Sequence, residues 1–282
     1  MNNKLLALYG LSFNPFCPEI PTEALSVSPP LESFFWKVHQ SLLREGGFAL
    51  ITGDPGTGKS VTLRMLSERL AKEAELNVGV ISRPQANIAD FYREMGEIFG
   101  VPLRPHNRWA GSKVLRQRWN EHIEQTLVRP VLLLDEAQES SAALLNELRL
   151  LGSSRFDSRQ ILTVVLAGDM RLTEKFRREE LIPLGSRIRI RLTLQALSAE
   201  DLRATLKHLI TVAGNPTLMS ADLIGTLSQH TAGNLRMLMS LSGELLAAAA
   251  QKELPQLDEK LYFEVFSLHK PAKPLSALRP RS

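Results

Sequence analysis

Gly53-Asp54-Pro55-Gly56-Thr57-Gly58-Lys59-Ser60 meets every fixed position of the phosphate-binding pattern G-x-x-x-x-G-K-[ST]. The run before it, Phe48-Ala49-Leu50-Ile51-Thr52, is short, apolar and partly β-branched, the composition of a buried parallel strand. Lys59 to Lys72 has helical spacing. A loop between strand and helix is what the chemistry requires. Its glycines let backbone N–H groups turn inward as an anion nest, and the helix adds its positive N-terminal end. The expected ligand is ATP, held by Gly53, Asp54, Pro55, Gly56, Thr57, Gly58, Lys59 and Ser60, with Lys59 on the outer phosphates and the Ser60 hydroxyl on Mg²⁺.

At 282 residues, 44% of them hydrophobic, the chain supports one large domain or two, each with its own core. One cysteine, Cys17, excludes an intrachain disulfide and a cysteine metal cluster, and a reducing, cytoplasmic setting is expected. The six histidines lack metal-ligand spacing, so no metal beyond Mg²⁺ is expected. The net charge of +4 is a mild excess over this length, so its distribution decides whether a polyanion is a partner.

Prolines interrupt residues 9–30, which read as an extended segment packed by its aromatics. Helical patterns at Leu31–Arg44, Ile88–Phe99 and Leu144–Leu151 then alternate with apolar strand patterns at Val78–Ile81, Val131–Leu134, Ile161–Ala167 and Ile188–Leu194. With the strand before the phosphate loop, five strands alternating with helices give a three-layer α/β domain with a mainly parallel five-stranded sheet. From Ser198 only helical patterns follow. The expected division is an arm at 1–30, the α/β domain at 31–195, a small all-helical domain at 196–269 and a basic, disordered tail at 270–282.

Val131-Leu132-Leu133-Leu134 runs into Asp135-Glu136-Ala137-Gln138. An apolar strand ending in two acids supplies what the phosphate loop lacks: Asp135 to hold hydrated Mg²⁺ and Glu136 as the base for water attacking the γ-phosphate. Arg187, just before the last strand, is placed to reach a neighbouring subunit's γ-phosphate. Arg236, at a helix start in the second domain, is placed to close over the phosphates.

These residues carry a resemblance. The chain resembles an AAA+ ATPase with Walker A at Gly53–Ser60, Walker B at Val131–Glu136, an arginine-finger region at Arg187 and a sensor-2-like Gly233-Asn234-Leu235-Arg236 in a helical lid. Tyr9-Gly10-Leu11-Ser12-Phe13-Asn14-Pro15-Phe16, Asp135-Glu136-Ala137-Gln138 and Leu166-Ala167-Gly168-Asp169 are similar to one branch. That branch holds general secretion pathway A proteins and transposition helper ATPases such as phage Mu B and its Tn7-like relatives. One departure stands out: the fourth strand ends in Gly168-Asp169 without the usual polar Asn or Ser of sensor 1, and Thr163 lies too early to replace it.

Secretion-type members are expected to continue into a membrane span and a cell-wall-binding region, and the sequence stops at Ser282, which favours the transposition helpers. The resemblance then implies duplex DNA, a transposase and further copies of the chain as partners. Arg104, Arg108, Lys113, Arg116 and Arg118, uninterrupted by any acid, and secondarily Arg155 and Arg159, are the expected DNA-phosphate contacts. Two rival expectations are a secretion-type ATPase acting on an envelope partner and a nucleotide-dependent scaffold with negligible turnover.

Overall fold

The computed structural model describes residues 2–84, 87–102, 108–156 and 158–267. Arg104 and the basic tail, both given roles by the sequence, lie outside the described residues. The chain divides into two compact units, Leu25–Ala196 and a second made of the first 24 residues with those from Leu197 onward.

The first unit is built on a five-stranded sheet: β1 (Gly47–Gly53), β2 (Val78–Ile81), β3 (Val131–Leu134), β4 (Thr163–Gly168) and β5 (Ile188–Leu194). Their spatial order is β2-β3-β4-β1-β5, and every pairing is parallel. β4 pairs Leu166 with Leu50 on one side and with Leu134 on the other. The loops after β1, β3 and β4 therefore leave the same edge of the sheet side by side, the crevice where open α/β sheets bind ligands.

Strand periodicity divides the core between two faces. Phe48, Leu50, Leu132, Leu134, Val164 and Leu166 belong to one buried cluster, while Ala49, Ile51, Val131, Leu133, Val165 and Ala167 belong to the other. Both faces are thus covered, which explains why these strands are apolar without alternation. β5 departs from strict parity: Ile188 joins the first cluster, but Ile190 and Leu192 join the second. The β1–β5 register shifts between Phe48 and Ala49, and the extra residue moves the rest of the strand to the opposite face.

The sequence singles out a basic run from Arg104 to Arg118. In the structure Arg108–Thr126 is one helix. It buries Gly111, Leu115, Trp119 and Ile123, spaced four apart, and packs close enough that a Cβ on Gly111 would lie 2.9 Å from the Tyr92 ring. Pro29–Lys37 begins with two prolines in its first turn, where the missing N–H groups cost nothing.

The second unit is helical, with Asn2–Tyr9, Ala199–Val212, Ala221–His230, Leu235–Gln251 and Glu259–Ser267. Ser198 and Asp201 form a reciprocal capping box at the start of Ala199–Val212. The segment around Tyr9 and Phe16, read from sequence as part of an arm, contributes Tyr9, Leu11 and Phe16 to this unit's core. Its backbone is fixed there. Ser12 N–H donates to Ala213 O at 2.8 Å, the Asn215 amide donates to Tyr9 O at 2.9 Å, and the Tyr9 hydroxyl donates to Leu254 O at 3.0 Å. Among the described residues no helix is long and apolar enough to cross a membrane.

Candidate nucleotide site

The loop after β1 has the shape that its glycines predict. Gly56 and Gly58 adopt φ values of 86° and 102°, in the left-handed region that disfavours side chains. At Gly53 the constraint is space, because a Cβ would lie 2.6 Å from both Leu194 O and Thr57 Oγ1. Thr57 Oγ1 donates to Asp54 O at 2.8 Å and tightens the turn. The helix Lys59–Ala71 starts within the loop, so its unpaired N–H groups and dipole face the space that the loop encloses.

Lys59 is 7% exposed, and its ammonium donates to Gly53 O at 2.9 Å and Asp54 O at 3.0 Å. It is therefore held across the loop mouth by two carbonyls, a position from which a phosphate oxygen can take over its hydrogen bonds. Ser60, the next residue, is exposed.

β3 delivers Asp135 and Glu136 to the same edge, and both are half-buried. Asp135 Oδ1 accepts from Glu136 N at 2.9 Å, and Glu136 is in the left-handed region at φ 48°, uncommon for a residue with a Cβ. That backbone turn re-aims the Glu136 side chain. Its carboxylate accepts a hydrogen bond from the side-chain amide of buried Gln138, whose Oε1 in turn accepts from Asp169 N at 3.2 Å at the end of β4.

Asp169 is the other acid at this edge. Burial pushes its carboxyl up, but hydrogen bonds from the Arg171 guanidinium and amide, with the charges of Arg171 and Lys59, outweigh burial and hold it below the usual carboxylate range. Asp169 thus feels the charge of Lys59 as well as that of Arg171. Thr163 is at the far end of β4, fully buried, donating to Leu42 O at 2.6 Å. It belongs to the core and takes no part in the site.

Hydroxyl and carboxylate oxygens from Ser60 and Asp135 suit a hydrated Mg²⁺, a hard cation that keeps several waters and binds through phosphates. Among the described residues no group of three or more His, Cys, Asp or Glu side chains forms a separate metal site.

The two arginines fall in different places. Arg187 precedes β5, which forms an outer strand of the sheet, and its guanidinium donates to Pro183 O. Arg236 belongs to the helical unit, exposed in the first turn of Leu235–Gln251 behind the Asn234 cap.

The expected DNA contacts are only partly brought together. Arg108, Trp109, Ser112, Arg116, Glu147 and Leu150 line a groove of about 360 Å³. Arg116 and Leu150 also line an adjoining depression of about 510 Å³ with Ser154, Arg155 and Phe156. The latter two stand at the tip of a short hairpin, Ser153–Ser154 with Arg159–Gln160. Both have positive φ, and Phe156 is 108% exposed. Lys113 lies 5.5 Å from the centre of the Trp109 ring, itself 73% exposed. Arg118 is exposed outside this groove, beside His122. Arg159 sits on the returning strand of the hairpin, where its charge and that of Arg129 oppose each other.

Sequence reasoning missed Gln138 and Asp169 as members of the nucleotide edge. The signal was in Asp-Glu-Ala-Gln and Gly-Asp, but the contact between those two segments depends on β3 and β4 being neighbours.

A parallel sheet with its phosphate loop, acidic β3 terminus and helical second unit define a P-loop protein with the AAA+ fold. Residues 42–176 match the family model described as "AAA domain". Over 245 residues the chain is 30% identical to general secretion pathway protein A of Aeromonas hydrophila, an alignment covering 86% of this chain and 44% of that protein. The chain thus spans less than half the length of this curated relative. In structure it is similar to the ORC2 protein of Aeropyrum pernix, at a TM-score of 0.69 and 19% identity over 90% of this chain and 71% of that one. It is also similar to the ORC1 protein of that organism in complex with DNA, at 0.66 and 16% over 90% and 68%.

Proposed function

We propose that this chain is an ATP-dependent, DNA-binding regulator that assembles as a homo-oligomer on duplex DNA and directs or activates a transposase in the cytoplasm. The observation that carries the DNA reading is the groove itself. Arg116 of one helix and Arg155 of a hairpin 39 positions later line one depression beside an exposed aromatic ring. Guanidinium groups supply phosphate contacts, and a protruding ring supplies a stacking or wedging surface. The structural neighbour solved with DNA is in keeping with that partner.

ATP is the proposed switch. Gly53–Ser60 holds its phosphates, Lys59 neutralises the outer ones, and Asp135 with Ser60 holds hydrated Mg²⁺, which when bound withdraws charge from the phosphate oxygens. Glu136 takes the proton of a water whose oxygen attacks the γ-phosphorus. The bond to the β-bridging oxygen breaks with its electron pair on ADP, giving ADP and inorganic phosphate. Arg187 is the charge-neutralising group offered to a neighbouring subunit. Turnover is slow, with DNA or the partner as stimulant, because the bound state is what the partner reads.

The secretion pathway A relative supports a second reading, an ATPase acting on an envelope partner. Electron microscopy with duplex DNA and a slowly hydrolysed ATP analogue separates the two. Rings or filaments threaded by DNA are expected. DNA-free monomers, with anisotropy showing no duplex binding at low salt, would sink the first reading and favour the second.

A further inference from the structure

We infer that Gln138 is the positioning residue for the base Glu136, anchored at the end of β4 where the strand itself offers no Asn or Ser side chain. The inference rests on the hydrolytic reading above. Gln138 is 4% exposed, and its two ends have different partners: Oε1 accepts the Asp169 N–H at 3.2 Å, and Nε2 donates to Glu136 Oε2. A side-chain amide is a short rigid strut with a donor at one corner and an acceptor at the other. Here it ties the base to the backbone at the end of β4.

Three further observations show that the strut is built in. Lys175 Nζ donates to Gln138 O and, at 2.8 Å, to Ser140 O, so the loop after β3 is fastened to the helix that follows β4. Glu136 itself adopts a left-handed backbone, which requires surrounding contacts to maintain it. Gly168 leaves the space that Gln138 fills: a Cβ there would lie 2.6 Å from Gln138 Oε1 and 2.9 Å from Leu172 Cδ2. The glycine at the end of β4, which reads in sequence as the loss of a polar group, is thus the clearance through which a polar group enters from the neighbouring strand's loop.

Gln138 contacts neither water nor phosphate in this scheme. It acts through Glu136, by fixing the direction of the carboxylate, and small misplacements of a reacting group cost up to about 100-fold in rate. A buried amide serving the fold alone would change stability without changing kcat selectively.

The test is steady-state ATP hydrolysis with Mg²⁺ and duplex DNA, alongside equilibrium binding of a fluorescent ATP analogue, for wild type, Gln138→Ala, Gly168→Ala and the double variant. Gln138→Ala is expected to lower kcat by about 10- to 100-fold with KM and analogue Kd within about threefold of wild type. Gly168→Ala should reproduce that pattern from the other side of the contact, and the double variant should lose little more than either single one. If Gln138→Ala fails to fold, Gly168→Ala carries the test. A variant kcat within about twofold of wild type, parallel loss of ATP binding, or fully multiplicative losses would overturn the positioning role while leaving the ATPase reading intact. Wild-type turnover no higher than that of Lys59→Ala would instead overturn hydrolysis itself, and this inference with it.

Discussion

Arg108 donates a hydrogen bond to Glu147, a carboxylate only 4% exposed that also accepts from the Tyr92 hydroxyl at 2.5 Å. The pair with Glu147 raises the Arg108 pKa, while burial and then Glu147 push the Tyr92 hydroxyl well above the ordinary phenol range. Arg108 is therefore committed to neutralising an acid inside the helix packing, although the sequence groups it with DNA contacts. Arg108→Ala should destabilise the protein by about 1–3 kcal/mol, the cost of leaving a buried acceptor without its donor. Arg155→Ala, at an exposed hairpin tip, should stay within about 0.5 kcal/mol of wild type. Denaturant unfolding of the two variants checks this; equal midpoints would show that Glu147 does not depend on Arg108.

His122 gives a pH dependence opposite in sign to that of a histidine held charged in a salt bridge. Burial, and secondarily the Arg118 charge, lower its pKa below the ordinary histidine value of 6.5. The unfolded chain then binds the proton more readily than the folded one, so stability rises with pH across the window between the folded value and 6.5. Acidification through that window should cost stability at this position. His122→Gln, which carries no titrating proton, should show a smaller loss between pH 7 and pH 5 than wild type. Identical slopes in thermal or urea unfolding would count against a depressed His122.

The phosphate loop yields a prediction about space as well as charge. A Cβ at Gly53 would press on Leu194 O and Thr57 Oγ1 at 2.6 Å, contacts that neither β5 nor the loop can relieve without moving. Gly53→Ala should weaken ATP binding at least about tenfold, or 1.4 kcal/mol, as should Lys59→Ala by removing the cation. The two should differ in structure: only Gly53→Ala should alter protection of the loop amides in hydrogen exchange. Full ATP affinity in Gly53→Ala would show that the loop tolerates displacement.

What the sequence made legible was local. Strand, glycine loop and helix are contiguous at 47–71, and the β3 acids follow directly from an apolar run, so pattern alone located both. The Gln138–Asp169 contact was not legible, because residues 31 apart meet only through the pairing of β3 with β4. The basic run misled for a related reason. Successive helical positions turn by roughly 100°, so Arg116 and Arg118 point in quite different directions, while Leu115 and Trp119 between and beside them are buried. Of the described members of that charge run, Arg108 and Arg116 line the groove, Arg108 with its guanidinium committed to the buried Glu147, Lys113 lies by the Trp109 ring, and Arg118 is exposed on another face.

That sorting defines the sharpest prediction for DNA. Arg116 and Arg155 flank the depression beside Phe156, whereas Arg118 lies outside it. If the depression holds the duplex backbone, each groove arginine that meets a phosphate contributes to counterion release, and replacing it should reduce the salt slope of log Kd by about one. The double variant Arg116→Ala/Arg155→Ala should thus bind duplex DNA more weakly at low salt and with a slope lower by about two, while Arg118→Ala keeps the wild-type slope. Phe156→Ala should act differently. It removes an apolar, stackable ring and no charge, so affinity should fall with the salt slope unchanged. Anisotropy titrations of a labelled duplex at several salt concentrations measure both quantities. A double variant with the wild-type slope, or an Arg118→Ala variant that alone loses it, would move the DNA away from this groove.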